Sequence, residues 1–136
     1  MQKKFCLDEK NIDKVANFII ELFIKRKTLL LFGELGSGKT SLVKEIGRYI
    51  NIKDNISSPS YNLLNIYDSD YGEIYHYDFY RLNNKEELLQ LDFHHALENN
   101  LAIIEWPEIA LKEIKKEIIQ INISFTEAKR CYEIFY

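Results

Sequence analysis

The apolar positions of this chain change their spacing several times, and each change marks a different kind of element. From Asn11 to Lys25, Ile12, Val15, Ala16, Ile19, Leu22 and Phe23 fall three or four residues apart, which gathers them on one face of an amphipathic helix. Asn11 or Asp8 is the expected N-cap. Thr28–Phe32 is instead a short unbroken apolar run and predicts a buried strand. After a glycine-rich turn, Ser41–Ile50 returns to helical spacing, with Leu42, Ile46 and Tyr49 on one stripe. Asn51–Ser60, rich in Asp, Asn and Ser with one proline, reads as an irregular loop. Tyr61–Tyr67 and Glu73–Phe79 are strand-like runs that flank the turn-rich Asp68–Gly72, predicting a hairpin. Lys85–Leu91 and Phe93–Glu98 predict short helices. Leu101–Ile104 is a second unbroken apolar run, as in a strand covered on both faces, and Trp106-Pro107 closes it. Ile118–Phe125 and Cys131–Tyr136 alternate as a final strand pair.

The turn between the first buried strand and its helix carries the most chemistry. Gly33-Glu34-Leu35-Gly36-Ser37-Gly38-Lys39-Thr40 fits G-x-x-x-x-G-K-[ST], and strand, glycine-rich turn and helix are the setting that pattern requires. Glycines let successive backbone N–H groups approach a phosphate without a side chain in the way. The positive end of the following helix favours the same anion. Lys39 would reach the β- and γ-phosphates, and the Thr40 hydroxyl would ligate the magnesium ion bridging them. Three of the chain's five glycines stand in this segment. The pattern therefore predicts ATP or a similar triphosphate as ligand. The fold it implies is an α/β, three-layer sandwich of the P-loop NTPase kind. Its mixed sheet would have parallel core strands, antiparallel additions and helices on both faces. With no repeat, low-complexity tract or long linker, residues 1–136 are expected to form one domain.

Magnesium needs oxygen ligands beyond Thr40, and an attacking water needs orienting. Glu105 would emerge at the carboxyl end of the Leu101–Ile104 strand, beside the loop. Asp78 ends a second strand. A strand-end cap and an ion pair with Arg81 are the plain structural alternatives for the two acids. His76, two residues before Asp78, shares its strand face and either orients Asp78 or is a satisfied structural histidine. His94 and His95 lack spaced partners for zinc and read as surface residues. Tyr75, Tyr77, Phe79 and Tyr80 read as core and sheet surface, because a base-stacking platform would carry basic residues between its rings.

Composition narrows the picture without redirecting it. The 46% apolar and 29% charged residues are globular values. A net charge of −3, with Lys and Arg dispersed, leaves no footprint for tight autonomous nucleic-acid binding. Work on a nucleic acid held by a partner stays open. Cys6 and Cys131 have no C-x-x-C spacing and are expected to be free thiols. No run resembles a signal peptide or approaches a membrane span, which points to a cytoplasmic protein without membrane contacts.

Further motifs stand in order behind the loop: Ser58-Pro59-Ser60-Tyr61-Asn62-Leu63, His76-Tyr77-Asp78-Phe79-Tyr80-Arg81-Leu82 and Ile104-Glu105-Trp106-Pro107-Glu108. Together with Gly33–Thr40 this set closely resembles the TsaE (YjeE) family, the ATPase of bacterial tRNA threonylcarbamoyladenosine biosynthesis. The resemblance spans nearly the whole chain. It implies a compact ATPase acting with the TsaD and TsaB proteins, which transfer the threonylcarbamoyl group, so that tRNA is met only through the complex.

Residue by residue, the resemblance implies that the loop amides, Lys39 and neighbouring Ser41 hold the phosphates. Thr40 and Glu105 would bind magnesium, with Asp78 near the γ-phosphate positioning metal or water. Ser60, where the family usually has threonine, would sit in a nucleotide-sensitive loop. Trp106 would pack beside the nucleotide, and Arg130 matches an arginine of the family's last strand pair. The segment Leu7–Lys10 would neighbour the base.

Three rival readings compete. A small-molecule P-loop kinase needs an arginine-bearing lid, yet Arg26, Arg48, Arg81 and Arg130 are scattered. A GTP-dependent switch would read guanine through N-K-x-D, but Asn84-Lys85-Glu86-Glu87 ends in the wrong acid. A nucleotide-dependent assembly factor without essential hydrolysis would use the same residues.

Overall fold

The computed structural model describes residues 1–136. Seven strands form one sheet: β1 (Gln2–Leu7), β2 (Thr28–Phe32), β3 (Leu64–Ser69), β4 (Gly72–Asp78), β5 (Leu101–Glu105), β6 (Ile119–Thr126) and β7 (Lys129–Phe135), in the order β1-β7-β6-β2-β5-β4-β3. β4, β5, β2 and β6 run parallel, whereas β3, β7 and β1 are added antiparallel at the two sides. The helices are α1 (Asp13–Arg26), α2 (Lys39–Tyr49), α3 (Glu86–Leu89) and α4 (Phe93–Asn99).

Strand alternation divides the core into two layers. Leu29, Leu31, Ile103, Ile119 and Ile121 face α1 and α2, where Val15, Ile19, Phe23, Leu42, Val43 and Ile46 meet them. Leu30, Ala102 and Ile104 point the other way, onto Leu88 of α3 and Phe93, Ala96 and Leu97 of α4. The unbroken apolar runs of β2 and β5 follow from this, because both faces of the central strands are covered. The expected three-layer, mixed-sheet α/β architecture is the one observed. No helix is long and apolar enough to cross a membrane.

Several expectations are corrected. β1 has no counterpart in the predicted elements. Its pattern QKKFCL is mostly exposed, and its partner β7 lies at the far end of the sequence. Neither Asn11 nor Asp8 caps α1 with its side chain: a 3-10 turn at Glu9–Asn11 leads into the helix, and Ile12 holds the cap position. Tyr49 is 41% exposed rather than part of the buried stripe, and its hydroxyl donates to the Asp13 carbonyl at 3.3 Å.

Cys6 and Cys131 are not free. They are register partners across β1 and β7, with Cα atoms 4.1 Å apart, and form a disulfide. Because the bridge closes a 125-residue separation, reduction is expected to destabilise the protein by roughly 2–4 kcal/mol. Thermal melting with and without reductant checks this, with Cys131→Ser as the reductant-insensitive control.

Candidate functional site

The central strands place their carboxyl ends side by side, and the loop from β2 into α2 lies over them. Two glycines of that loop are required by close approach. Gly38 sits at φ 103°, where a Cβ would also meet the Arg130 guanidinium at 2.6 Å. At Gly33 a Cβ would lie 2.5 Å from Ser37 Oγ and 2.8 Å from the Ile123 carbonyl oxygen. α2 begins without a side-chain cap and without an acid in its first turn. Its leading N–H groups and positive dipole end are thus left for an anion.

Lys39 folds back along the loop. Its Nζ donates to the carbonyls of Gly33 at 2.7 Å and Glu34 at 3.0 Å, and lies 4.3 Å from the centre of the Trp106 ring. Burial lowers the pKa of this amine, against the opposing pull of Glu105, Asp78, Glu108 and Glu34. Trp106 holds its place through an uncommon backbone: φ 55°, ψ 57°, immediately before Pro107. A non-glycine residue in this left-handed region is strained, and such strain gathers at functional sites. Tyr80 packs against the Trp106 ring at 4.8 Å.

Asp78 and Glu105 are register partners on adjacent parallel strands. Both are nearly fully buried, at 3% and 2% exposure. The Thr40 hydroxyl bridges from α2 to both Glu105 carboxylate oxygens, at 3.2 and 3.1 Å. His76 Nε2 approaches Glu105 Oε2 at 2.6 Å. Asp78 accepts from Ser58 Oγ at 3.1 Å and from the Tyr80 backbone N–H at 2.9 Å.

Burial raises the Asp78 pKa, Glu105 adds to the rise, and the bonds from Tyr80 and Ser58 oppose it. An ionised carboxylate so perturbed costs the folded state stability above its native pKa; the cost fades as pH falls toward the ordinary carboxylate range. Asp78→Asn is therefore expected to raise the melting temperature of the nucleotide-free protein by a few degrees at neutral pH. The gain should disappear in acid, a difference that melting curves across pH measure.

A cleft of about 320 Å³ joins these parts. Leu35, Gly36, Gly38, Lys39, Thr40 and Ser41 of the loop and α2 line it, together with Ser58, Ser60, Asp78, Tyr80, Glu105, Trp106 and Arg130. Among the expected residues outside its walls, Gly33 and Glu34 contribute the carbonyls that hold Lys39. Ser37 is buried within the loop, its hydroxyl without a hydrogen-bond partner. Arg130 is fixed by Glu9 at 3.1 Å and by the Phe125 ring at 5.0 Å, bringing the Leu7–Lys10 segment close to the loop.

The alternatives for the acids find no support in the contacts. Arg81 stacks on Tyr61 rather than pairing with Asp78. Glu105 is engaged by Thr40 of α2 and His76 of β4 rather than serving as a simple strand-end cap. His76 bonds to Glu105, not to Asp78. His94 and His95 are exposed, as expected. Ser58 and Tyr80, which the sequence reading assigned no role in the site, also line the cleft; their places inside the Ser58–Leu63 and His76–Leu82 motifs were the available signal.

Magnesium is ordinarily held by one or two carboxylates together with substrate phosphates and water. A threonine hydroxyl and two buried carboxylates beside an uncapped helix N-terminus fit that donor set. Loop, uncapped helix, lysine and paired strand-end acids on a mixed sheet define a P-loop protein of the nucleotide-binding kind. The family profile described as Threonylcarbamoyl adenosine biosynthesis protein TsaE matches residues 6–132, and the chain belongs to that family.

Among its relatives, the tRNA threonylcarbamoyladenosine biosynthesis protein TsaE of Rickettsia felis is 36% identical over 124 residues, 90% of this chain and 72% of that protein. The protein of the same name from Borreliella burgdorferi is 34% identical over 123 residues, 82% of this chain and 84% of its own. The crystal structure of YdiB from Bacillus superposes with a TM-score of 0.70, covering 98% of this chain and 84% of that one at 20% identity. This last likeness concerns the fold. Family membership places the chain in tRNA threonylcarbamoyladenosine biosynthesis.

Proposed function

We propose that the chain binds ATP with magnesium in the 33–40 cradle and hydrolyses it slowly, in support of threonylcarbamoyl transfer to tRNA by a TsaD–TsaB pair. The carrying observation is the convergence of Lys39, Thr40, Asp78 and Glu105, from three separate elements, on one cleft. The loop amides and Lys39 would hold the phosphates, Lys39 exchanging its carbonyl partners for phosphate oxygens. Thr40 and Glu105 would hold the metal, which supplies charge neutralisation on the phosphate oxygens when bound. Asp78, a stronger proton acceptor than a surface aspartate because it is buried, would orient water or complete the metal's shell through water. Ser60 and Ser58 would bring the 57–60 loop to the nucleotide. Arg130 and Trp106 would flank it.

The arginines bear on the kinase alternative. Arg26 donates to the Ile118 carbonyl, Arg48 pairs with Glu45, Arg81 stacks on Tyr61 and Arg130 lies against the loop. They form no common lid, which favours hydrolysis over phosphoryl transfer to a small molecule.

The test measures ATP binding and phosphate release by purified protein, with and without magnesium and the TsaD–TsaB pair. Magnesium-dependent, slow release that responds to the pair is the expected result. Phosphorylation of a small-molecule acceptor, or full-rate hydrolysis indifferent to the pair, would count against the proposal.

A further inference from the structure

Behind Glu105 stands a buried polar chain that lines no part of the cleft. His76 is fully buried, and its two ring nitrogens have different partners: Nε2 lies 2.6 Å from Glu105 Oε2, and Nδ1 lies 3.0 Å from the Tyr67 hydroxyl. Tyr67, 4% exposed on β3, is also 3.2 Å from the Ser57 carbonyl and accepts from Asn65 Nδ2 at 3.4 Å. We propose that Tyr67 and His76 form a positioning chain that holds the Glu105 carboxylate toward Thr40 and ties its orientation to the 57–60 loop. This rests on the reading of Glu105 as a metal-binding acid.

The chemistry follows from donor and acceptor counts. An ionised Glu105 only accepts, so His76 must carry its proton on Nε2 and donate it. In the neutral ring Nδ1 is then an acceptor, and the Tyr67 hydroxyl donates to it. That hydroxyl has one proton but two acceptors in reach, Nδ1 and the Ser57 carbonyl. A shift of the loop carbonyl therefore changes the competition for the proton that fixes the imidazole. No change of protonation is involved. Carboxylates that ligate metals are commonly oriented by such outer partners, whose loss costs about 10- to 100-fold in metal affinity. Neither Tyr67 nor His76 touches the nucleotide side of the cleft, so their effect should fall on magnesium and not on ATP itself.

Trp106, the single tryptophan of the chain, reports the site directly. Its fluorescence is followed during ATP titration in EDTA and during magnesium titration at saturating ATP. For His76→Leu the half-saturating magnesium concentration should rise about 10- to 100-fold, with ATP affinity in EDTA unchanged. His76→Gln retains an N–H donor and should recover to within about 3-fold of wild type, with Tyr67→Phe between the two. If His76→Leu does not fold, the rescue by Gln and the Tyr67→Phe shift carry the test.

Unchanged magnesium dependence in His76→Leu would overturn the chain. So would equal impairment of Leu and Gln variants with Tyr67→Phe at wild-type values. Glu105→Gln separates the two levels: no shift there removes the metal reading and this proposal with it. A shift in Glu105→Gln without one in His76→Leu removes the positioning chain alone.

Discussion

Lys39→Ala is expected to weaken ATP binding roughly 50- to 100-fold, the loss of about 2.5 kcal/mol of charge-assisted hydrogen bonding to phosphate. The side chain is 5% exposed and already curved over the loop, where it meets the Gly33 and Glu34 carbonyls. Little ordering remains to be done when phosphate arrives. The depressed pKa indicates that the buried charge costs the ligand-free fold something at neutral pH. The variant should thus lose far more binding than stability. Calorimetric titration with ATP, paired with a melting curve, separates these effects. A folded variant with wild-type affinity would remove Lys39 from the phosphate site.

Glu105→Ala should fall on a different quantity. Thr40 Oγ1 reaches both oxygens of this carboxylate, and the surrounding strands leave it only 2% exposed. Turnover in magnesium is expected to drop about 10²- to 10³-fold, as when a preorganised electrostatic group is removed from an active site. ATP affinity in EDTA should change less than about 3-fold, since the loop amides and Lys39 remain. Steady-state phosphate release and binding without metal make the comparison. Unchanged turnover would move the metal role elsewhere, with Asp78 the next acid in reach.

Where the chain's physics is local, its pattern was readable. The unbroken runs of β2 and β5 announced strands with two covered faces, and the end of the second run marked Glu105 as a residue beside the loop. The loop itself is a local motif, with glycines set by local geometry. What stayed hidden depends on partners far along the chain. β1 is a strand because residues 129–135 lie beside it, and Cys6 finds Cys131 for the same reason. His76 is two residues from Asp78 but bonds to Glu105, twenty-nine residues away, because parallel neighbours bring strands β4 and β5 into register. Ser58 stands in a motif, but its partner was not legible, because a serine in an irregular loop shows no periodicity and its bond to Asp78 exists only once the loop folds over the strand ends. Tyr49 lay on a helical stripe, yet its ring stays partly exposed and its hydroxyl turns to the start of α1, at the Asp13 carbonyl.

The strand that feeds the phosphate loop has both its neighbours late in the chain: β2 pairs with residues 102–105 and with residues 119–122. During synthesis, therefore, Thr28–Phe32 has no sheet to join until most of the polypeptide has left the ribosome. Such long-range parallel pairing is slow to form and exposes apolar surface while it waits. A nascent or truncated chain that stops short of β6 would present this segment to chaperones and would have no nucleotide cradle to offer.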